Sequence, residues 1–371
     1  MGTAQKTPLL FTDKPLFGLD IGRSSLKIVQ LSHQATKIKK GDKHKGARYP
    51  LPHVLSYGST DFDPAAIEDG VVVQPELIAQ AAKKLFDKRL IGDVTSRRVA
   101  ITIPSYRSFT RSIQLPPMDE HEMEEAVRLE AEQYIPVPLD DLYLDYTLLS
   151  SDKDGVEVLA VAVPRNIVDS YVDLAAILGL EAVLIETSAS SVARLFSHDD
   201  QSDVPTIIID FGSVSSDISI YDGGLVTSGT VEGGGADFTK AIQTGLGVTG
   251  AEAGIIKTKY GLSRSKRQKE IEIALDPVLQ KIIKEIKRLV RYHTERYGAD
   301  KPITQVITLG GGANMPGLSE YFTSNLRLAV RSCDPWLYVD NQRLQPPSAA
   351  DRTMYATAIG LALAPETEVF K

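Results

Sequence analysis

The sequence predicts an α/β protein built on a duplicated nucleotide-binding fold. One pattern, an apolar strand running into a loop of small residues, occurs three times. The copies are Phe17 to Val29 (FGLDIGRSSLKIV), Thr206 to Ile220 (TIIIDFGSVSSDISI) and Val306 to Asn314 (VITLGGGAN). The first two share Asp-x-Gly, a following Ser and a return strand, so they read as two related hairpins. Placed face to face, such hairpins would grip a triphosphate from both sides.

The loops have the chemistry for that task. A tight glycine turn at Gly22 or Gly212 leaves backbone N–H groups free to approach anionic oxygens, and serine hydroxyls add donors. Asp20 and Asp210 can order a hydrated divalent cation. Gly310, Gly311 and Gly312 present a platform without side chains to a base or ribose, and the run Gly233-Gly234-Gly235 introduces a helix whose N-terminus can also face phosphate.

Along the chain, Phe17 to Leu31 reads as two strands around the first loop. A basic loop follows, with Lys37, Lys39, Lys40, Lys43, Lys45 and Arg48 against Asp42 alone; it reads as a solvated connection in preference to an anionic-partner site. Helix Glu76 to Lys88 leads to strand Val99 to Ile103, closed by Pro104. Strand Thr110 to Leu115 then ends at Pro116-Pro117. Helix Asp119 to Tyr134 carries Met123, Ala126, Val127, Ala131 and Tyr134 on one face and stops at Pro136. Strands Tyr143 to Leu149 and Val156 to Val163, with a helix from Asn166 to Leu178, complete a small αβ unit inserted between Pro104 and about Ala182. Val183 to Glu186 returns to the main sheet. Past the second loop come helix Ala251 to Tyr260, a charged stretch, and a long helix Asp276 to Tyr297. On the long helix Ile282, Ile283, Ile286, Leu289, Val290 and His293 form a core stripe, with His293 at its edge. The last helix, Tyr355 to Leu363, is small and apolar and should be buried.

Bulk properties narrow the function classes. A length of 371 residues suits about two domains, and 43% hydrophobic with 24% charged residues is ordinary for a globular protein. A net charge of −7 argues against a general nucleic-acid binder. The single cysteine, Cys333, forms no internal disulfide and has no ligand cluster around it. The apolar runs are too short to span a membrane and the N-terminus lacks a signal-peptide core, so a cytoplasmic location is expected. Met1-Gly2 opens no myristoylation motif, because Lys6 stands where Ser or Thr is needed. No Gly-Lys pair exists for a Walker loop, no Gly-x-Ser-x-Gly elbow, no His-Glu-x-x-His site, and no GxGxxG opening a first βα unit.

The order of loop, inserted unit, loop, glycine-rich loop and apolar final helix resembles the actin-like ATPase superfamily. Leu115-Pro116-Pro117-Met118, Glu124-Glu125-Ala126-Val127, Glu130-Ala131-Glu132 and Tyr134-Ile135-Pro136-Val137-Pro138 resemble the signature of the PilM family, actin-like proteins of type IV pilus assembly. Lys257, Tyr260 and Gly261 match that family's helix-end pattern. The resemblance implies actin-like (ribonuclease H-like) duplicated domains in an FtsA-like arrangement with an inserted αβ subdomain. Subdomain 1A would cover 16–105 and 183–203 and receive the C-terminal helix 355–364; the insertion 1C would be 106–182, 2A 204–236 with 302–354, and 2B 237–301.

The same resemblance implies ATP with Mg²⁺ in the cleft. Asp20, Gly22, Arg23, Ser24, Ser25 and Lys27 match the first phosphate loop. Asp210, Gly212, Ser213, Ser215 and Asp217 match the second, Gly310 to Gly312 the adenosine loop, and Gly233, Gly234 and Lys257 complete the nucleotide set. Asp20 and Asp210 would hold the metal through water, and Glu186 stands where the superfamily keeps an acid near the attacking water. A ribose-contacting Glu common in the family is replaced by Gly254, with Glu252 nearby. The implied role is a cytoplasmic scaffold at the inner face of the membrane, attached through partners and serving pilus-driven twitching motility. It would grip the N-terminal cytoplasmic peptide of PilN, communicate with PilB, self-associate, and hydrolyse ATP weakly or not at all.

Two rivals stay in view. A division protein of the FtsA type ends in an amphipathic membrane helix, which the acidic tail from Ala364 to Lys371 does not match. An acetate- or sugar-kinase-like phosphotransferase needs a base beside the transferred phosphoryl group, and the insertion offers no evident Asp or His set for it. For the partner peptide, Tyr106, Phe109 and Ile113 are expected to line a groove where the chain enters the insertion, or else to be interdomain core.

Overall fold

A computed structural model describes residues 15–36, 51–153, 155–197 and 204–365. The basic loop at 37–48, Met1 to Lys6 and the tail from 366 lie outside the described residues. Both hairpins form as read: Phe17–Ile21 with Ser25–Thr36, and Thr206–Phe211 with Ser215–Tyr221. Each is extended on its return-strand side by an antiparallel strand, Leu51–Asp61 or Leu225–Glu232. On the other side stand two parallel strands, Arg98–Ile103 and Glu181–Thr187 in the first half, Gln305–Leu309 and Ala329–Ser332 in the second. The five-strand order is the same in both halves. Parallel neighbours require crossovers, and the helices supply them.

Three apolar cores hold the layers together. Period-two alternation sends Ile207 and Ile209 to the outer face, against Phe238 and the long helix, and Ile208 to the inner face. The first half does likewise: Ile28 joins the outer core with Phe17, Ile78 and Leu85, and Val29 points inward. The inner core is shared by both sheets and filled by two helices, Ser188–Phe196 and Ala356–Ala362. The second of these lies so close to its neighbours that only glycine fits. A Cβ at Gly18 would meet the Ala358 carbonyl oxygen at 2.4 Å, and one at Gly360 would meet the Ser191 carbonyl oxygen at 2.1 Å.

Several boundaries depart from expectation. The long helix runs Gln268–Tyr297, starting eight residues before Asp276 and passing through Pro277. Proline in a helix interior costs about 3 kcal/mol; burial of Ile271 and Leu275, at roughly 2 kcal/mol each, offsets that. His293 is fully buried in this helix and not at an edge. Helix Arg165–Ile177, counted with the insertion, packs Ile167, Tyr171 and Leu174 into the first core, so the inserted unit closes with strand Val156–Pro164. That unit comprises strands Phe109–Leu115, Leu142–Ser151 and Val156–Pro164 with helix Glu120–Tyr134. Its sheet continues the second half's sheet through the pairing of Arg111 with Thr227.

Candidate functional site

The two hairpins face one another across a cavity of about 500 Å³. Asp20, Gly22, Arg23, Ser24, Ser25 and Lys27 line it from the first loop, and Asp210, Gly212, Ser213, Ser215 and Asp217 from the second. Gly310, Gly311, Gly312 and Lys257 add to the wall. Gly310 takes φ +81°, open to glycine and strained for other residues. A Cβ there would meet an Asp210 carboxylate oxygen at 2.2 Å, whereas one at Gly311 would point into open space.

Strand register makes the two hairpins equivalent and shows where they differ. Asp20 pairs with Lys27 across the first hairpin, and Asp210 with Asp217 at the same positions of the second. In the first, Lys27 Nζ donates to Asp20 at 2.9 Å and Thr102 Oγ1 to its other oxygen at 3.1 Å. In the second, two acids face each other. Asp210 is half-buried at the cavity wall; burial, then Asp217, then Asp20 push its pKa up to about 7, with Lys27 and Thr357 opposing. Burial also raises Asp217, against hydrogen bonds from Thr230 at 2.6 Å and Ser188 at 3.2 Å.

Other expected residues lie elsewhere. Glu186 is not in the cavity wall: Arg194 grips both of its oxygens at 2.5 and 2.6 Å, and the pair is largely buried. Gly233 and Gly234 stand behind Gly235, which does line the cavity. The first amides of that helix are already engaged, Gly234 with Asp237, Gly235 with the Gly212 carbonyl and Ala236 with the Ser213 carbonyl. They splint the second loop and are not free for phosphate. Lys257 crosses from the end of helix Gly250–Lys259 to donate to the Gly235 carbonyl at 2.7 Å, and burial lowers its pKa. Glu252 is spent on a capping box with Thr249.

Of the proposed groove residues, Tyr106 lines the cavity near Arg23. Phe109 and Ile113 instead pack inside the inserted unit, Phe109 with Ala131 and Leu142, Ile113 with Met123 and Val127. Ile113 is buried there and Phe109 half-buried. Sequence reasoning missed Thr102, Tyr171, Ser188 and Thr357, which all line the cavity. Each sits in an ordinary strand or helix pattern, so nothing local marks it.

The family model for the type IV pilus assembly protein PilM matches residues 18–365. The chain belongs to the PilM family. A solved structure described as the PilM–PilN type IV pilus biogenesis complex is 26% identical, covers 94% of this chain and 97% of that one, and superposes with a TM-score of 0.74. The ethanolamine utilization protein EutJ of Carboxydothermus hydrogenoformans (17% identity, 95% and 90% coverage, TM-score 0.53) shares the fold. So does MreB 5 of Spiroplasma citri, solved with AMPPNP (15%, 95% and 96%, TM-score 0.53). The fold of this PilM-family chain is therefore actin-like. No helix among the described residues is long and apolar enough to cross a membrane.

Proposed function

We propose that the chain is an actin-like scaffold of type IV pilus assembly that binds ATP with Mg²⁺ in the cleft and holds the N-terminal cytoplasmic peptide of a PilN-type membrane protein. It would thereby be peripheral to the inner face of the cytoplasmic membrane. The observation that carries the nucleotide reading is the facing pair of Asp-x-Gly loops, with a side-chain-free glycine loop beside them. The partner reading rests on family membership and on likeness to the PilM–PilN complex.

The residues fit the group. Among the described residues no group of three or more His, Cys, Asp or Glu side chains is placed to hold a metal ion. Asp20, Asp210 and Asp217 crowd negative charge into one enclosed space, and a hydrated Mg²⁺ would neutralise it. Bound, the ion would shield the phosphates. Lys27 and the loop amides would orient them, and Gly310 to Gly312 would admit adenosine against the backbone. Glu186, the acid expected to orient water, is instead locked to Arg194 outside the cavity wall, which favours nucleotide as a ligand that sets the cleft over nucleotide as a fuel.

Calorimetric titration tests both parts. Mg·ATP affinity should fall at least about ten-fold in Asp20→Ala/Asp210→Ala, roughly 1.4 kcal/mol. A peptide copying the cytoplasmic N-terminus of a PilN-type protein should bind the wild type. Unchanged nucleotide affinity in the double variant removes the cleft assignment, and absence of peptide binding with or without Mg·ATP removes the scaffold assignment.

A further inference from the structure

Among the described residues, Tyr171 alone combines a place in the cavity wall with a fully buried side-chain oxygen that has no hydrogen-bond partner. Its ring is fixed. It projects from helix Arg165–Ile177 into the first core, with Ile167 and Leu174 buried a turn to either side. Ser170 pins the same turn, accepting from the Val72 amide at 3.1 Å and donating to the Ile167 carbonyl at 2.7 Å. Buried hydroxyls without partners destabilise a fold, so one carried by a cavity-lining residue points to a ligand that supplies the missing acceptor.

The protein itself offers that acceptor poorly. Asp20 lies near the hydroxyl, but its oxygens are engaged by Lys27 and Thr102. Tyr106, the other nearby group, is a phenol that burial keeps protonated, as it does Tyr171, so it supplies no charged acceptor. The position along the cleft narrows the ligand atom. Gly310 and Gly312 rest on Asp210 and Phe211 of the second hairpin, whereas Tyr171 belongs to the first half, beside Asp20. A nucleotide with its base on the glycine loop and its phosphates between the hairpins would present its terminal phosphoryl group on the Asp20 side of the cleft, where Tyr171 stands.

We infer that the Tyr171 hydroxyl is a nucleotide-reading group, which donates a hydrogen bond to the terminal phosphoryl oxygen of a bound triphosphate and finds no acceptor on a diphosphate. This rests on the nucleotide reading above. It makes Tyr171 a specificity determinant carried by the helix that leaves the inserted unit, so the state of the nucleotide is sensed on the element joining the cleft to that unit.

Tyr171→Phe removes one oxygen and keeps the ring. Titration of Mg·ATP and Mg·ADP into both proteins should show affinity for Mg·ATP falling about ten-fold, as for a hydrogen bond to a charged group, with Mg·ADP held within about two-fold. The empty variant should melt no lower than wild type, because nothing is bonded to the hydroxyl. Equal loss for both nucleotides, or no loss for either, overturns the inference and leaves the cleft assignment standing. A variant melting well below wild type overturns it as well, by showing that the hydroxyl already has a partner. Failure of the wild type to bind either nucleotide overturns the cleft assignment and this inference with it.

Discussion

Asp210 and Asp217 occupy the positions that Asp20 and Lys27 fill in the first hairpin, and this exchange sets two acids face to face where the first hairpin has an ion pair. With its pKa raised from 3.8 to about 7, Asp210 favours the folded state while protonated. That contribution is complete below the unfolded value and is lost as pH rises through the folded one. Without cation, Asp210→Asn should therefore gain melting temperature over wild type between about pH 4 and 7 and level off above. Thermal melts in chelator check this, and a margin that does not change with pH contradicts it. Glu186→Gln should instead act on stability. Breaking a buried ion pair costs on the order of 3 kcal/mol, so the variant should melt several degrees lower with Mg·ATP affinity unchanged. Weakened nucleotide binding in a variant of full stability would return Glu186 to the cleft.

At the scale of elements, the helix Ala356–Ala362 is the wedge between the sheets. It is seven residues long and has no helical stability of its own to speak of. Packing holds it, with Ser191 Oγ donating to the Thr357 carbonyl at 2.7 Å and glycines at the two close contacts. Gly360→Val would drive a branched side chain into the Ser191 backbone; overpacking of this kind costs typically about 1–3 kcal/mol. Because Thr357 beside it lines the cavity and opposes the raised pKa of Asp210, the same variant should lose nucleotide affinity as well, which calorimetry alongside thermal melts will show. The inserted unit behaves differently. Phe109→Ser or Ile113→Ser removes core from that unit, so either should destabilise it before it says anything about a peptide surface.

Across the whole molecule, the inner core ties the two halves into one cooperative body. Tyr57 of the first sheet, Tyr355 before the final helix and the sole tryptophan, Trp336, form one aromatic cluster with ring centroids 4.9, 5.3 and 5.6 Å apart. The Val54 amide bonds to the Asp340 carbonyl at 2.8 Å, so chain from the second half finishes the edge of the first. Tryptophan fluorescence and far-ultraviolet circular dichroism should therefore trace the same urea transition. Two separated transitions would show that the halves fold independently.

The sequence by itself determined the two hairpins, the glycine loop, the long amphipathic helix and the family, because each is written in residues adjacent along the chain. Turn glycines, period-two strands and a helical stripe are local devices, and the loop residues that line the cavity came with them. It was silent on strand Leu51–Asp61, where both faces are buried and alternation vanishes, and on the nine-residue helices Ser188–Phe196 and Leu318–Leu326. Only the tertiary structure decided that Glu186 turns to Arg194, that Phe109 and Ile113 serve the insertion's own core, and that Thr102, Ser188, Thr357 and Tyr171 reach the cleft. The last four come from four separate elements, and what each one touches is set by the packing of two sheets around two shared helices, which no local pattern encodes.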